Sequence, residues 1–315
     1  MTLCVTVTTA DGLAMGADSM TSVRASSQTK YFSNADKVFE ISGLPIVAMT
    51  YGQGAVGRRS ISSLVEEWAD QRPAYEKEGY TVEQIARDLC DFVFSRHREF
   101  REFLRSETER HQAEALAGAA SDDNVPYDPL EWITGLVIGG YQPNSRYPWL
   151  FTWEEPDRTG LQSTLSCVRP HEGPDGRDGP VPGVNYWGAT AALDRLYRGF
   201  DGELVAAIRP LLQEPAKLES AEELAEKHRW PIVFEGMPLQ DAADMVRFLL
   251  EVGCGFERFK EGIPQIGGEL DIAVVARRKI HWPTRKPMTS ALSLRAPQFR
   301  PLNTHDSDDS DSVKG

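Results

Sequence analysis

The chain predicts an α+β fold in which two antiparallel sheets lie face to face between layers of helix. Three observations carry that prediction. Strand-like and helix-like segments come in blocks: strands, two helices, strands, helices and a final strand. The opening segment contains Asp11-Gly12, a strong signal for a tight hairpin. Neither an internal repeat nor a linker interrupts residues 1–300, so they read as one domain. An insertion falls at about 105–128, and an acidic, low-complexity tail at 301–315 is expected to be disordered.

The elements follow in order. Residues 2–9 are rich in Val and Thr and suit a strand. After the Asp11-Gly12 turn, Leu13–Asp18 is the return strand, so Thr2 and Asp18 fall at matching ends of a pair. Residues 20–36 read as a long polar loop. Val38–Ile41 and Pro45–Thr50 are two further strands, followed by a turn carrying Gly52, Gly54 and Gly57. Ser60 opens a helix with Leu64, Val65 and Trp68 on one face. Thr81 opens a longer one, with Ile85, Leu89, Phe92, Val93, Phe100 and Phe103 at helical spacing to about residue 105.

Trp132–Tyr141, Trp149–Trp153 and Leu165–Val168 read as a central antiparallel set, and His171–Gly183 as a Gly/Pro/Asp loop. Gly188–Tyr197, Glu203–Leu212 and Leu218–Arg229 read as helices. Leu239–Val252 is a strongly amphipathic helix, and Leu270–Ala276 a buried strand after Gly267-Gly268.

Composition excludes several classes. The 41% hydrophobic content and 9% aromatics can build a sizeable core. A formal net charge of −13, without a basic cluster, argues against nucleic acid as partner. No run approaches the roughly 18 apolar residues of a membrane span, and the start lacks the regions of a signal peptide. Cys4, Cys90, Cys167 and Cys254 are scattered and read as buried free thiols of a reducing compartment, hence a cytoplasmic protein. His97 and His111, among Arg and Glu, read as solvated helix residues rather than metal ligands. No cofactor is expected.

The chemistry-bearing residues cluster near the start. Thr2 follows Met1, Asp18 comes sixteen positions later in Gly12-Leu13-Ala14-Met15-Gly16-Ala17-Asp18-Ser19, then Lys37-Val38-Phe39-Glu40-Ile41, then Tyr51-Gly52. Taken singly, each is an ordinary structural residue: a strand threonine, a turn-capping aspartate, an edge lysine. Together they are the parts of an N-terminal nucleophile site. A threonine hydroxyl needs an adjacent base, and an N-terminal residue carries one as its own α-amine. A nearby ammonium disfavours a second positive charge on that amine, a carboxylate anchors the ammonium, and a glycine N–H can stabilise an oxyanion. A phosphate loop at Gly52–Gly57 is disfavoured because no Gly-Lys-Ser/Thr follows.

On these residues, 2–68 resembles a proteasome β-type subunit, within the proteasome-like group of N-terminal nucleophile (Ntn) hydrolases that includes the bacterial Anbu proteins. The resemblance implies a four-layer αββα sandwich, Thr2 as nucleophile, Asp18 and Lys37 as its charged partners, and Gly52 as oxyanion donor. It implies cleavage of peptide bonds in a peptide or protein substrate by a homo-oligomer, a ring or a helical stack. It also implies that Met1 is removed. Gly267-Gly268 matches the family, but Ile263 and Ile266 stand where it has an aspartate and a serine. A second family serine falls near Gly188-Ala189-Thr190, where only Thr190 can substitute. The alternative function is a non-catalytic scaffold or assembly subunit of the same fold.

Overall fold

The computed structural model describes residues 2–25, 28–41, 43–57, 59–75, 79–116, 134–154, 164–168, 181–208 and 231–286. The tail at 301–315, the helix expected at Leu218–Arg229, most of the His171–Gly183 loop and residues 117–128 of the insertion lie outside these.

The described chain is a mixed α/β structure built on two five-stranded antiparallel sheets. Strands β1 (Leu3–Thr8) and β2 (Leu13–Asp18) form the expected hairpin, with Cys4 opposite Ala17 and Thr8 opposite Leu13. β2 pairs with β13 (Leu270–Ala276), which pairs with β14 (Lys279–Thr284); β1 pairs on its other side with β12 (Gly183–Gly188). The second sheet runs β11 (Thr164–Cys167), β10 (Trp149–Glu154), β9 (Thr134–Gly140), β6 (Ile46–Gly52), β5 (Val38–Glu40).

The period-2 alternation of β1 decides what each face meets. Leu3, Val5 and Val7 pack against α5 (Leu239–Phe259) through Val246, Leu249 and Leu250. Cys4 faces the other way, into a core shared by the two sheets with Met15, Val47, Met49 and Val137. The outer face of the second sheet, including Ile46, Ala48, Leu136 and Ile138, packs on α1 (Ile61–Gln71) and α2 (Val82–Leu116). All six residues of both β1 and β2 are buried, as expected of strands covered on both faces.

Several sequence expectations change. The segment 20–36 is a two-stranded hairpin rather than a plain loop: β3 (Thr21–Ala25) pairs with β4 (Gln28–Phe32). Within the glycine turn, β7 (Ala55–Val56) and β8 (Arg59–Ser60) also pair. Helix α2 runs well past residue 105, its exposed face laced by pairs such as Arg105–Glu109. Gly188 ends a strand, and the helix α3 (Ala191–Tyr197) starts later; α4 (Gly202–Ile208) follows. His97 is fully buried, not solvated, because it lies on the inner face of α2. Cys167 is exposed, Cys254 half-buried, and only Cys4 and Cys90 are buried. No helix among the described residues is long and apolar enough to cross a membrane.

Candidate active site

The hairpin fixes the centre of the site. With Cys4 opposite Ala17, Leu3 falls opposite Asp18. Asp18 Oδ1 accepts the Leu3 N–H at 2.9 Å and the Lys37 ammonium at 2.9 Å. Its Oδ2 accepts the N–H groups of Met20 at 3.1 Å and Gly267 at 2.9 Å. The Asp18 side chain is 0% exposed and that of Lys37 3%. A carboxylate so buried needs such a donor set, since an isolated buried charge is very costly. The site therefore joins three separate parts of the chain: the first strand pair, the segment leading into β5, and the Gly267 turn before β13.

The backbone around Asp18 and Lys37 is held from several sides. Ser19 and Met20 both donate their N–H groups to the Gly267 carbonyl, at 3.0 and 2.8 Å. Ser19 Oγ donates to the Ser33 carbonyl at 2.6 Å, and Ala35 N–H donates to the Ser19 carbonyl at 2.9 Å. These bonds close the β3–β4 excursion, so its length does not move Lys37 away from Asp18. The Lys37 carbonyl accepts Thr50 N–H at 3.0 Å, tying the lysine to β6.

Thr2 is 3% exposed. Its carbonyl accepts Ala189 N–H at 2.8 Å. Gly188, directly before, has φ +89, and a Cβ there would stand 1.8 Å from the Thr2 carbonyl oxygen. Only glycine allows the end of β12 to run this close to Thr2. By strand alternation Thr2 shares a face with Cys4, the face turned to the second sheet.

Gly52 lies at the same end of the molecule as Thr2. The Tyr141 hydroxyl donates to the Asp11 carbonyl, so the end of β9 next to Tyr141, where Gly140 opposes Ile46, meets the β1–β2 turn. Cys4 Sγ donates to the Thr50 carbonyl at 3.3 Å. The far end of β6, Thr50 to Gly52, thus runs toward Thr2 and Asp18. Gly52 has φ +80, the left-handed turn that closes the strand.

Cys4 is the other potential nucleophile near this centre. Burial pushes its thiol far above the ordinary range; Lys37 pulls it down and Asp18 pushes it up, both more weakly. A buried neutral thiol that already donates to a carbonyl is inert.

At the divergent positions, Ile266 is 2% exposed in the core beneath α5, and Ile263 is 64% exposed. The Thr190 hydroxyl donates to Asp194 Oδ2 at 2.8 Å, so it is engaged by its own helix. Sequence reading missed the roles of Gly188, of Gly267 N–H and of Ser19; the signal for the first was a glycine directly after Val184-Asn185-Tyr186-Trp187, a run that reads as a strand. No group of three His, Cys, Asp or Glu side chains among the described residues is arranged to hold a metal.

No family model matches the chain, and no curated protein matches it. Among solved structures it is similar to Anbu (ancestral beta-subunit) from Yersinia bercovieri, at 13% identity, over 90% of this chain and 88% of that one, with a TM-score of 0.44.

Proposed function

We propose that this protein is an N-terminal threonine hydrolase that cleaves amide bonds in a peptide or protein substrate, with Thr2 as nucleophile once the residue before it is removed. The observation that carries this reading is a single oxygen atom. Asp18 Oδ1 binds both the amide directly following Thr2 and the Lys37 ammonium. A buried lysine is thereby held beside the backbone of a buried threonine. We read the two sheets, with α5 outside one and α1 and α2 outside the other, as the four-layer αββα sandwich that suits this chemistry.

In the proposed reaction the freed Thr2 amine takes the proton of the Thr2 hydroxyl as Oγ1 attacks the substrate carbonyl. The amine's ordinary pKa is near ~8, and Lys37 disfavours its protonated form. The tetrahedral oxyanion is stabilised by the Gly52 N–H. The amine then passes its proton to the leaving nitrogen as the C–N bond breaks, giving an ester on Thr2. Water, deprotonated by the same amine, attacks the ester carbonyl; the C–Oγ1 bond breaks, the amine returns the proton to Thr2 Oγ1, and the acid is released.

The test is intact mass of the purified protein with and without a threonine-directed electrophile, followed by a pH–rate profile. One adduct on Thr2, absent in Thr2→Ala, is expected. In Lys37→Met the rising limb of the profile should move to higher pH and the plateau should fall. An active protein that retains Met1 quantitatively would overturn the assignment.

A second reading, a non-catalytic scaffold subunit of the same fold, is favoured by the apolar Ile266 and the exposed Ile263. It predicts no adduct and no turnover, while sedimentation still shows a homo-oligomer.

A further inference from the structure

A second buried lysine lies close to the first. Lys286 is 9% exposed at its side chain and follows β14. Its ammonium donates to Asp271 Oδ2 at 2.5 Å and to the Ala35 carbonyl at 2.8 Å, and it forms an ion pair with Asp36 Oδ1 at 2.8 Å. Its backbone N–H donates to the other Asp271 oxygen at 2.9 Å. Asp271, 5% exposed, stands opposite Ala17 on β2, one residue from Asp18. Ala35 and Asp36 are the two residues immediately before Lys37.

The consequence is geometric. Ala35 is gripped at both ends of its backbone: its N–H by the Ser19 carbonyl, its C=O by Lys286. The chain that delivers Lys37 is thus tied on one side to Ser19, directly after the strand that carries Asp18, and on the other to Lys286, which Asp271 holds on the neighbouring strand β13. Two hydrogens of the ammonium are donated, one to the Ala35 carbonyl and one to Asp271, and the Asp36 carboxylate adds an ion pair, so the contact is charge-assisted and directional. Without it, Ala35 keeps the Ser19 tether alone, and the segment entering Lys37 loses one of the bonds that hold it beside Asp18.

We propose that Lys286 and Asp271 are positioning residues, a clamp that sets Lys37 in register with Asp18 and Thr2. The catalytic consequence rests on the threonine-hydrolase reading; the clamp itself does not. A displacement of about 1 Å in a catalytic group can cost about a hundredfold in rate, so the clamp acts on kcat rather than on substrate affinity.

The experiment uses the full-length protein, Lys286→Met, Lys286→Arg and Asp271→Asn, with two readouts on folded material. The first is the rate at which Lys37 is acetylated by acetic anhydride, followed by peptide mass. Lys37 should react at least about tenfold faster in Lys286→Met, with partial return of protection in Lys286→Arg. The second is turnover: kcat should fall by about ten- to a hundredfold in Lys286→Met, KM should change less than twofold, and Lys286→Arg should recover part of kcat. A residue needed only for stability would lower the yield of folded protein without this split. If Lys286→Met does not fold, Asp271→Asn carries the same two expectations at smaller size, because it weakens the clamp and keeps the ammonium. If the parent shows no turnover and no Thr2 adduct, the hydrolase reading falls, while faster Lys37 acetylation still establishes the clamp. Unchanged Lys37 protection in folded Lys286→Met overturns it, whatever the activity.

Discussion

Lys37 and Lys286 are both buried and both bound to a buried aspartate, yet they are built differently. Among the described residues the Lys37 ammonium has one partner, Asp18 Oδ1, whereas that of Lys286 donates to two acceptors and pairs with a third oxygen, Asp36 Oδ1. The carboxylates reverse the pattern. Asp18 gathers three backbone N–H groups besides its lysine, while Asp271 takes both its bonds from Lys286. An ammonium held by three partners is a fastener. An ammonium anchored by one bond, with its aspartate fixed independently, keeps hydrogens for a neighbouring group and has its position set from outside. In the proposed reaction that is the arrangement wanted of a charge that acts on the Thr2 amine rather than one that holds the fold.

The largest expected effect tests which lysine serves chemistry. Thr2→Ala and Lys37→Met should each lower hydrolysis by about a thousandfold or more, the scale of losing a nucleophile or the group that tunes its base. Lys286→Met should lose at least tenfold less than that. Steady-state rates on protein shown to be folded by circular dichroism decide it. An activity order with Lys286→Met more damaging than Lys37→Met would break the comparison.

Stability should run the other way. Removing one partner of a buried ion pair costs about 3–5 kcal/mol. In Lys37→Met the Asp18 carboxylate keeps its three amide donors, which places the loss near the low end, about 3 kcal/mol. In Lys286→Met, Asp271 Oδ2 loses its only described donor and the Ala35 carbonyl loses its cation. Its loss should therefore equal or exceed that of Lys37→Met in urea unfolding. A clearly smaller loss would mean that Lys286 is no fastener.

Next in size is Gly188→Ala. The residue has φ +89, and its new Cβ would press on the Thr2 carbonyl. Strain of about 1–3 kcal/mol is expected, and because the clash falls on Thr2 itself, activity should fall more than the melting temperature suggests. Gly199→Ala, with φ +85 but nothing within reach of its Cβ, isolates the backbone part of the cost. Equal activity in the two variants would remove Gly188 from the site.

The parts of this arrangement differ in how legible they were in the sequence. Asp11-Gly12 announced the hairpin, and the hairpin alone set Asp18 across from the start of β1. Lys37, at the head of an apolar Val-Phe-Glu-Ile run, was recognisable by resemblance. The remaining donors were not. Gly267 N–H reaches Asp18 across 249 positions and Lys286 reaches Ala35 across 251, and no local pattern encodes such contacts. β12 was overlooked because its four central residues lie between a glycine-rich loop and a helix signal. Residues 20–36 looked like a loop because Thr21–Ala25 and Gln28–Phe32 carry few apolar residues and no clear alternation. His97 was misjudged because its charged neighbours Arg96 and Arg98 point elsewhere on the helix while it faces inward.

The smallest expected effect uses Cys4 as a reporter between the two lysines. Burial raises its thiol, and Lys37 and Asp18 are the charges that act on it; Lys286 is not among them. A group whose pKa is raised on folding binds its proton more tightly in the native state. Its contribution to stability is therefore complete below the unfolded thiol's pKa, about 8.5. It declines as pH rises from there toward the folded value. The slope is about 1.4 kcal/mol per pH unit for one fully buried thiol. Cys90, Cys254, Tyr51, Tyr141 and Tyr186 are shifted upward too, so the parent's alkaline decline is a sum. The difference between parent and Cys4→Ala removes the shared part. Between pH 9 and 10 the parent should lose about 1 kcal/mol more than Cys4→Ala in urea unfolding. The same difference should persist in a Lys286→Met background. In a Lys37→Met background the charge that favours the thiolate is gone, so Cys4 should resist ionisation to still higher pH. Thiolate absorbance on alkaline titration would then appear later with Lys37→Met and at an unchanged pH with Lys286→Met. Equal displacement by both substitutions would show that the two ammonium groups act on the centre alike, and that acceptor count does not separate a working lysine from a fastening one.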